Sequence, residues 1–167
     1  MTDSIATAIG DAVSYLTEHP DEAAYTDSPA TATLEKGLKV TVVGSEGESL
    51  LTDMPTSVGG ANSAPSAGWM MRAAVAACEA TLIAMRAAQQ GVSLSSVEVT
   101  VDSKSDDRGI LGIDSSVPAG PASVRVRVKV SGEAADSDIK SVVEWAHEHC
   151  PVSDTVRRAI PMELDVG

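Results

Sequence analysis

Ile5, Ile9, Ala12, Val13 and Leu16 recur at spacings of three and four, so residues 4–18 read as an amphipathic helix. Ser4 is placed to cap it and Pro20 to stop it. Residues 21–30 are linker-like. Over residues 31–43, Leu38, Val40 and Val42 alternate with Lys39 and Thr41, the pattern of a half-buried strand. A turn over 44–48 separates it from a second short strand over 50–54. Residues 55–68, rich in Gly, Ser and Pro, form a long loop that leads into the longest helical pattern, residues 69–90, ended by Gly91. In that helix Arg72, Glu79 and Arg86 recur every seventh residue as a polar stripe, beside an apolar face of Val75, Cys78, Leu82 and Met85.

The second half repeats the alternation. Val97, Val99 and Val101 mark a strand within 92–101. Residues 102–122 carry turn signals around a short apolar centre. Val124, Val126, Val128 and Val130 face opposite to Arg125, Arg127 and Lys129 in the clearest strand, 123–131, whose basic face reads as solvated or paired with acids. Residues 136–149 predict a helix with Ile139, Val142, Val143 and Ala146 inward. Cys150-Pro151 breaks it. Pro151 can open a further short helix to residue 159, and residues 160–166 suggest a last strand. Strands, long helix, strands, helix is the order of an α+β domain with a mostly antiparallel sheet. The reading divides the chain into a helical arm and linker, 1–30, and one domain, 31–167.

Composition sharpens this. Only 2% of the 167 residues are aromatic and none is Phe. The core must be built from Ala, Val, Leu, Ile and Met, which predicts thin layers, closely packed helices and help from oligomerisation. Twelve basic residues against 24 acidic ones give a net charge of −12. Such a surface repels a phosphate backbone and an anionic bilayer, so neither nucleic acid nor membrane is expected as a partner. No run approaches the roughly 18 to 20 apolar residues of a membrane span. The first residues carry Asp3 and Asp11 and no basic residue, unlike a secretory leader, so a cytoplasmic address is expected.

The candidate chemistry lies in two cysteines, Cys78 and Cys150. Cys78 sits mid-helix among alanines, where a cysteine commonly serves as a small core hydrophobe. Cys150 becomes an N-cap if Pro151 opens a helix, and backbone N–H groups would then point at its sulfur. Other constellations are weaker. His147, Glu148 and His149 point in different directions at a helix end, with no second ligand cluster, so no metal is expected. Gly59-Gly60 lacks the context of a phosphate loop. Ser63 and Ser66 have no nearby His for hydrolase chemistry.

A Gly/Pro-rich loop, an Ala-rich helix carrying Ala76-Ala77-Cys78, a Val-alternating strand, Asp106-Asp107-Arg108-Gly109, a second strand and helix, and then Cys150-Pro151-Val152 follow in order. This succession, over roughly residues 30–167, resembles the OsmC/Ohr family of osmotically inducible and organic-hydroperoxide-resistance proteins. The resemblance implies an intertwined homodimer with active sites at the subunit interface. It also implies a thiol peroxidase that uses no cofactor. Cys78 would attack the peroxide and become a sulfenic acid, Cys150 would condense with it to a disulfide, and a dithiol or small thiol would reduce the pair. The sequence departs from the family pattern at two positions. Lys36 stands near the family's Arg and Trp69 at its Glu. Arg72 is a candidate substitute, but six residues of helix turn it away from Cys78, so it could reach a site only across a dimer. Two functions therefore stand side by side: reduction of organic hydroperoxides, and a dimeric module of the same fold that binds a small apolar or electrophilic molecule. The first predicts a depressed Cys78 pKa and sulfurs within disulfide reach. The second predicts a slowly alkylated thiol and an apolar pocket.

Overall fold

The computed structural model describes residues 2–167. They fall into two compact units, residues 14–71, and residues 72–167 together with the N-terminal stretch up to Val13. Helix α1 spans Thr2–Glu18, so Ser4 lies inside its first turn and not at its cap. Only part of its apolar face is covered: Ile5 and Ile9 are half-buried, whereas Val13 and Leu16 are exposed.

Residues 14–71 hold an antiparallel sheet of three strands in the order β1 (Ala30–Leu34), β2 (Val40–Gly44), β3 (Ser49–Thr52). The single strand expected over 31–43 is thus a hairpin. Gly37 takes a left-handed φ of +67°, which lets the chain reverse, and the Glu35 N–H donates to the Lys39 carbonyl at 2.9 Å. After β3, Asp53 organises the loop that follows. It is 2% exposed. Its carboxylate accepts from the N–H groups of Met54 (2.7 Å), Ala61 (3.2 Å) and Ser63 (2.9 Å) and from the Ser63 hydroxyl (2.7 Å). The loop is drawn so tight that a Cβ at Gly60 would stand 1.8 Å from the Met54 carbonyl oxygen. Ser66 then accepts from the Trp69 N–H at 3.2 Å and caps the next helix.

The hydrogen bonds to Asp53, those from Ser63 foremost, hold its pKa at about 2 against an ordinary 3.8. A group with a depressed folded pKa stabilises fully above its unfolded value, and that contribution disappears as pH falls through the folded one. Acid melting should therefore show a loss of stability from about pH 4 towards pH 2 that an Asp53→Asn variant lacks. The variant should melt several degrees lower at pH 7 and converge with the parent near pH 2, as followed by circular dichroism.

Helix α2 (Ala67–Gln90) runs from the first unit into the other and ends where Gly91 adopts φ +65° and the Val92 N–H returns to the Ala87 carbonyl at 2.9 Å. Strands β4 (Leu94–Lys104) and β5 (Ser123–Gly132) pair antiparallel, with Val97 opposite Val130, Val99 opposite Val128 and Val101 opposite Val126. Their polar faces are acid-paired as expected: Lys129 reaches Glu98 at 2.9 Å, and Arg127 bonds Asp102. Between them, Asp106 caps the single turn α3 (Asp107–Ile110), accepting from the Arg108 N–H at 3.1 Å. Helix α4 (Asp136–His149) and α2 cover the valine face. The core joins Ile83 and Ala87 of α2, Val92, and Val142 and Ala146 of α4 over Val97, Val99, Val128 and Val130. Beside this core the Arg86 guanidinium lies 4.4 Å over the Trp145 ring, and His149 stacks on that ring with centroids 4.0 Å apart.

Two expectations are corrected here. The polar stripe of α2 does not stay in water: Glu79 is 1% exposed. Val75, Glu79, Ile83 and Ala87 form the buried line at intervals of four, because that row of the helix faces α4 and the sheet. Residues 160–166 form no strand, and Met162, Leu164 and Val166 stay at least 86% exposed. Among the described residues no helix is long and apolar enough to cross a membrane.

Candidate active site

Helix α4 stops at His149 because Cys150, held before a proline, adopts φ −72° and ψ 113°, outside the helical region. Pro151 then starts helix α5 (Pro151–Arg157). Cys150 is its N-cap, fully buried, and its sulfur accepts from the Ser153 N–H at 3.5 Å. Arg157 folds back from α5 and donates to the carbonyls of His147 and Glu148, both at 3.2 Å, satisfying the open end of α4.

This corner presents Cys150 to Cys78 on α2. Both thiols are free, and Cys150 and the Val152 N–H lie near enough to the Cys78 sulfur to act on its titration. The fold thus brings together the two cysteines singled out in the sequence. The expected depression of the Cys78 pKa is overturned. Burial pushes this thiol up, the hydrogen bond to Cys150 adds to the rise, and the charges of Cys150 and Glu79 add further; only the Val152 N–H acts downward. Thiolate is the nucleophilic form. Alkylation of Cys78 by iodoacetamide should therefore be slow at pH 7 and climb about tenfold per pH unit well past pH 8. Mass mapping of the labelled peptide across pH checks this; a plateau below pH 8 would contradict the raised value.

The cations considered beforehand are engaged elsewhere or belong to another element. Arg72 donates to the Ser103 hydroxyl of β4 at 3.2 Å. Lys36 lies in the β1–β2 turn beside the Asp53 loop, where both border a cavity of about 510 Å³. Trp69 is half exposed in the first turn of α2.

Sequence reasoning missed three residues behind the sulfurs. Glu79, next to Cys78, is buried against the α4–α5 corner. Its Oε1 accepts from the Ser153 hydroxyl at 2.5 Å and lies 2.8 Å from His147 Nδ1, while its Oε2 is buried with no hydrogen-bond partner among the described residues. His147 and Ser153 line a cavity of about 350 Å³ together with Val75, Val124, Val126, Val156, Arg125 and Arg157. The signal was the spacing of the corner: His147 and Ser153 stand three residues either side of Cys150, so both sit one turn from it. His147 and His149 do point apart, one to Glu79 and the other against Trp145.

The sequence profile of OsmC-like proteins matches residues 60–165, and the chain belongs to that family. Solved structures share the fold. An organic hydroperoxide resistance protein OsmC from Legionella pneumophila is 24% identical, with 80% of this chain and 91% of that one aligned at a TM-score of 0.60. An OsmC-like protein from Mycoplasma pneumoniae is 13% identical, with 80% and 89% aligned at 0.68. An organic hydroperoxide resistance protein from Elizabethkingia anophelis is 20% identical, with 81% and 91% aligned at 0.63. No curated protein matches the sequence.

Proposed function

We propose that this chain is a thiol-dependent peroxidase that reduces organic hydroperoxides, with Cys78 as the attacking thiol and Cys150 as the resolving one. The observation that carries this reading is the nearness of the two thiols, one on α2 and one at the α4–α5 corner, where Cys150 acts on the titration of Cys78. Two cysteines far apart in the chain have no packing reason to lie near each other, whereas a sulfenic acid and its resolving thiol must. In the forward half-cycle, Cys78–SH and ROOH give Cys78–SOH and ROH. Cys150–SH then displaces hydroxide from that sulfur, forming the disulfide and water. A dithiol or small thiol returns the pair to the reduced state. The Val152 N–H on Cys78 is a fixed donor that steadies charge on this sulfur. The valine-walled cavity beside the corner favours an apolar peroxide tail. The family relationship supports a homodimer, the acidic charge speaks against nucleic-acid and anionic-membrane partners, and a cytoplasmic setting belongs to the same proposal.

The raised Cys78 pKa favours a second reading, in which the same fold binds a small apolar or electrophilic molecule and the thiols are not turned over. One experiment separates them. Reduced protein receives a stoichiometric pulse of cumene hydroperoxide, is quenched within seconds, and is mapped by mass. The peroxidase yields a Cys78–Cys150 disulfide, two hydrogens lighter. Cysteines that stay reduced, or oxidise slowly and without order, would leave the binding module.

A further inference from the structure

We infer that Glu79 is a clamp for the cysteine pair: one oxygen of its carboxyl group ties α2 to both flanks of Cys150 and so fixes where the resolving sulfur stands relative to Cys78. The inference rests on the peroxidase reading for its place in turnover, though not for its test. The tie passes through a single atom. Glu79 Oε1 accepts from the Ser153 hydroxyl at 2.5 Å and lies 2.8 Å from His147 Nδ1. His147 belongs to the last turn of α4 and Ser153 to the first turn of α5, three residues on either side of Cys150. Glu79 follows Cys78 directly on α2. The residue that presents the first sulfur and the residue that holds the corner are therefore neighbours on one rigid helix.

The corner needs such a tie. Helices α4 and α5 are joined by one residue, Cys150, whose φ of −72° and ψ of 113° lie outside the helical region. Those two angles are the soft ones of the backbone, and rotation about them swings α5 against α4 and carries the sulfur along. Arg157 restrains the swing by donating to the carbonyls of His147 and Glu148, but both ends of that restraint lie on the corner itself. Glu79 instead joins the corner to α2. Ser153 completes the link to the sulfur, with its N–H on Cys150 Sγ at 3.5 Å and its hydroxyl on Glu79.

Stability gives no reason for a carboxyl group at this place. Glu79 is buried on the row of Val75 and Ile83, and its second oxygen finds no hydrogen-bond partner among the described residues. Burial of a carboxyl group with an unsatisfied oxygen is costly, and a well-packed apolar residue of similar volume is often neutral or better there. Nor does Glu79 activate the attacking thiol, because its charge acts to raise the Cys78 pKa. What a carboxylate oxygen supplies and an apolar contact does not is a fixed distance and direction to two donors. Two groups that must react depend on such placement, and a misplacement of about 1 Å can cost on the order of a hundredfold. Glu79 acts on the Cys150 sulfur through Ser153 and His147, so it is a positioning residue.

The test is a redox titration. Reduced protein is equilibrated without oxygen in mixtures of glutathione and its disulfide, quenched with N-ethylmaleimide and counted by mass. Cys78–SH, Cys150–SH and one glutathione disulfide give the protein disulfide and two glutathiones, so the midpoint reads the effective concentration of one sulfur at the other. Glu79→Leu keeps the bulk and removes both ties. It should lower that effective concentration at least about tenfold, while alkylation of Cys78 by iodoacetamide becomes no slower. Glu79→Gln keeps an acceptor for Ser153 and should stay within about threefold of the parent. Should Glu79→Leu fold poorly, Ser153→Ala decides: it removes one tie, leaves the N–H on Cys150, and should lose at least about threefold. A parent midpoint in Glu79→Leu, or in Ser153→Ala where that variant decides, overturns the clamp. So do equal losses in Glu79→Gln and Glu79→Leu, since the acceptor survives in the first. The same proteins then receive cumene hydroperoxide. If it leaves Cys78 reduced while glutathione reveals the Glu79 dependence, the clamp stands and the peroxidase reading falls. If it closes the disulfide while Glu79→Leu titrates like the parent, the peroxidase reading stands and the clamp falls.

Discussion

A Cys78→Ser variant is expected to consume cumene hydroperoxide on the order of a thousandfold more slowly than the parent in the presence of excess dithiothreitol. The hydroxyl that replaces the thiol fits the same space, since Cys78 is only half-buried. What changes is nucleophilicity, because an alcohol at neutral pH offers almost no anion to attack the O–O bond. Cys150→Ser should behave differently. It keeps the first chemical step and stalls at the Cys78 sulfenic acid, which a dimedone label would trap as a stoichiometric adduct on the peptide containing Cys78. Equal loss in both variants, with no trapped adduct in the second, would mean that the order of the two thiols is reversed or absent. Because burial and the Cys150 contact raise the Cys78 pKa, the parent's rate should itself increase with pH through neutrality.

The second large effect concerns stability. Ile83 is completely buried at the centre of the cluster that joins α2, α4 and the valine face of the sheet. Truncation to Ala removes the transfer free energy of three carbons and leaves a cavity among close-packed neighbours. The cost is about 2–5 kcal/mol, which for a chain of this size lowers the melting temperature by roughly 5–15 °C. The effect should be at the upper end, because no aromatic side chain in this cluster other than the partly buried Trp145 can swing into the space. Thermal melting with and without a reducing agent measures it. A shift below about 2 °C would show that the helices collapse into the gap.

Much of this fold was legible because side-chain periodicity and burial coincide. The alternation of Val124, Val126, Val128 and Val130 marks β5 because one face meets the helices and the other holds Arg127 and Lys129 against Asp102 and Glu98. Helix α4 was bounded at both ends, at the C-terminal one by a residue that cannot be helical before proline. The hairpin of β1 and β2 was hidden because Lys39, Val40 and Thr41 continue the alternation across the point where Gly37 reverses the chain. Glu79 was misread for a related reason. A charge repeated every seventh residue reads as a solvent stripe, yet Glu79 lies on the row of Val75 and Ile83 and finds its partners on α4 and α5. The cysteines were legible as a pair only through the family resemblance. Their nearness depends on how α2 meets the α4–α5 corner, which no local pattern encodes.

The sandwich of Arg86, Trp145 and His149 ends one residue before Cys150. An imidazole stacked on an indole quenches its emission, and more strongly when protonated. Movement of the α4–α5 corner as the sulfurs join would alter that stacking. The chain thus carries its own optical reporter: a change in Trp145 fluorescence, read against a Trp145→Phe control that leaves only Trp69, would time the redox state of the thiols without any added dye.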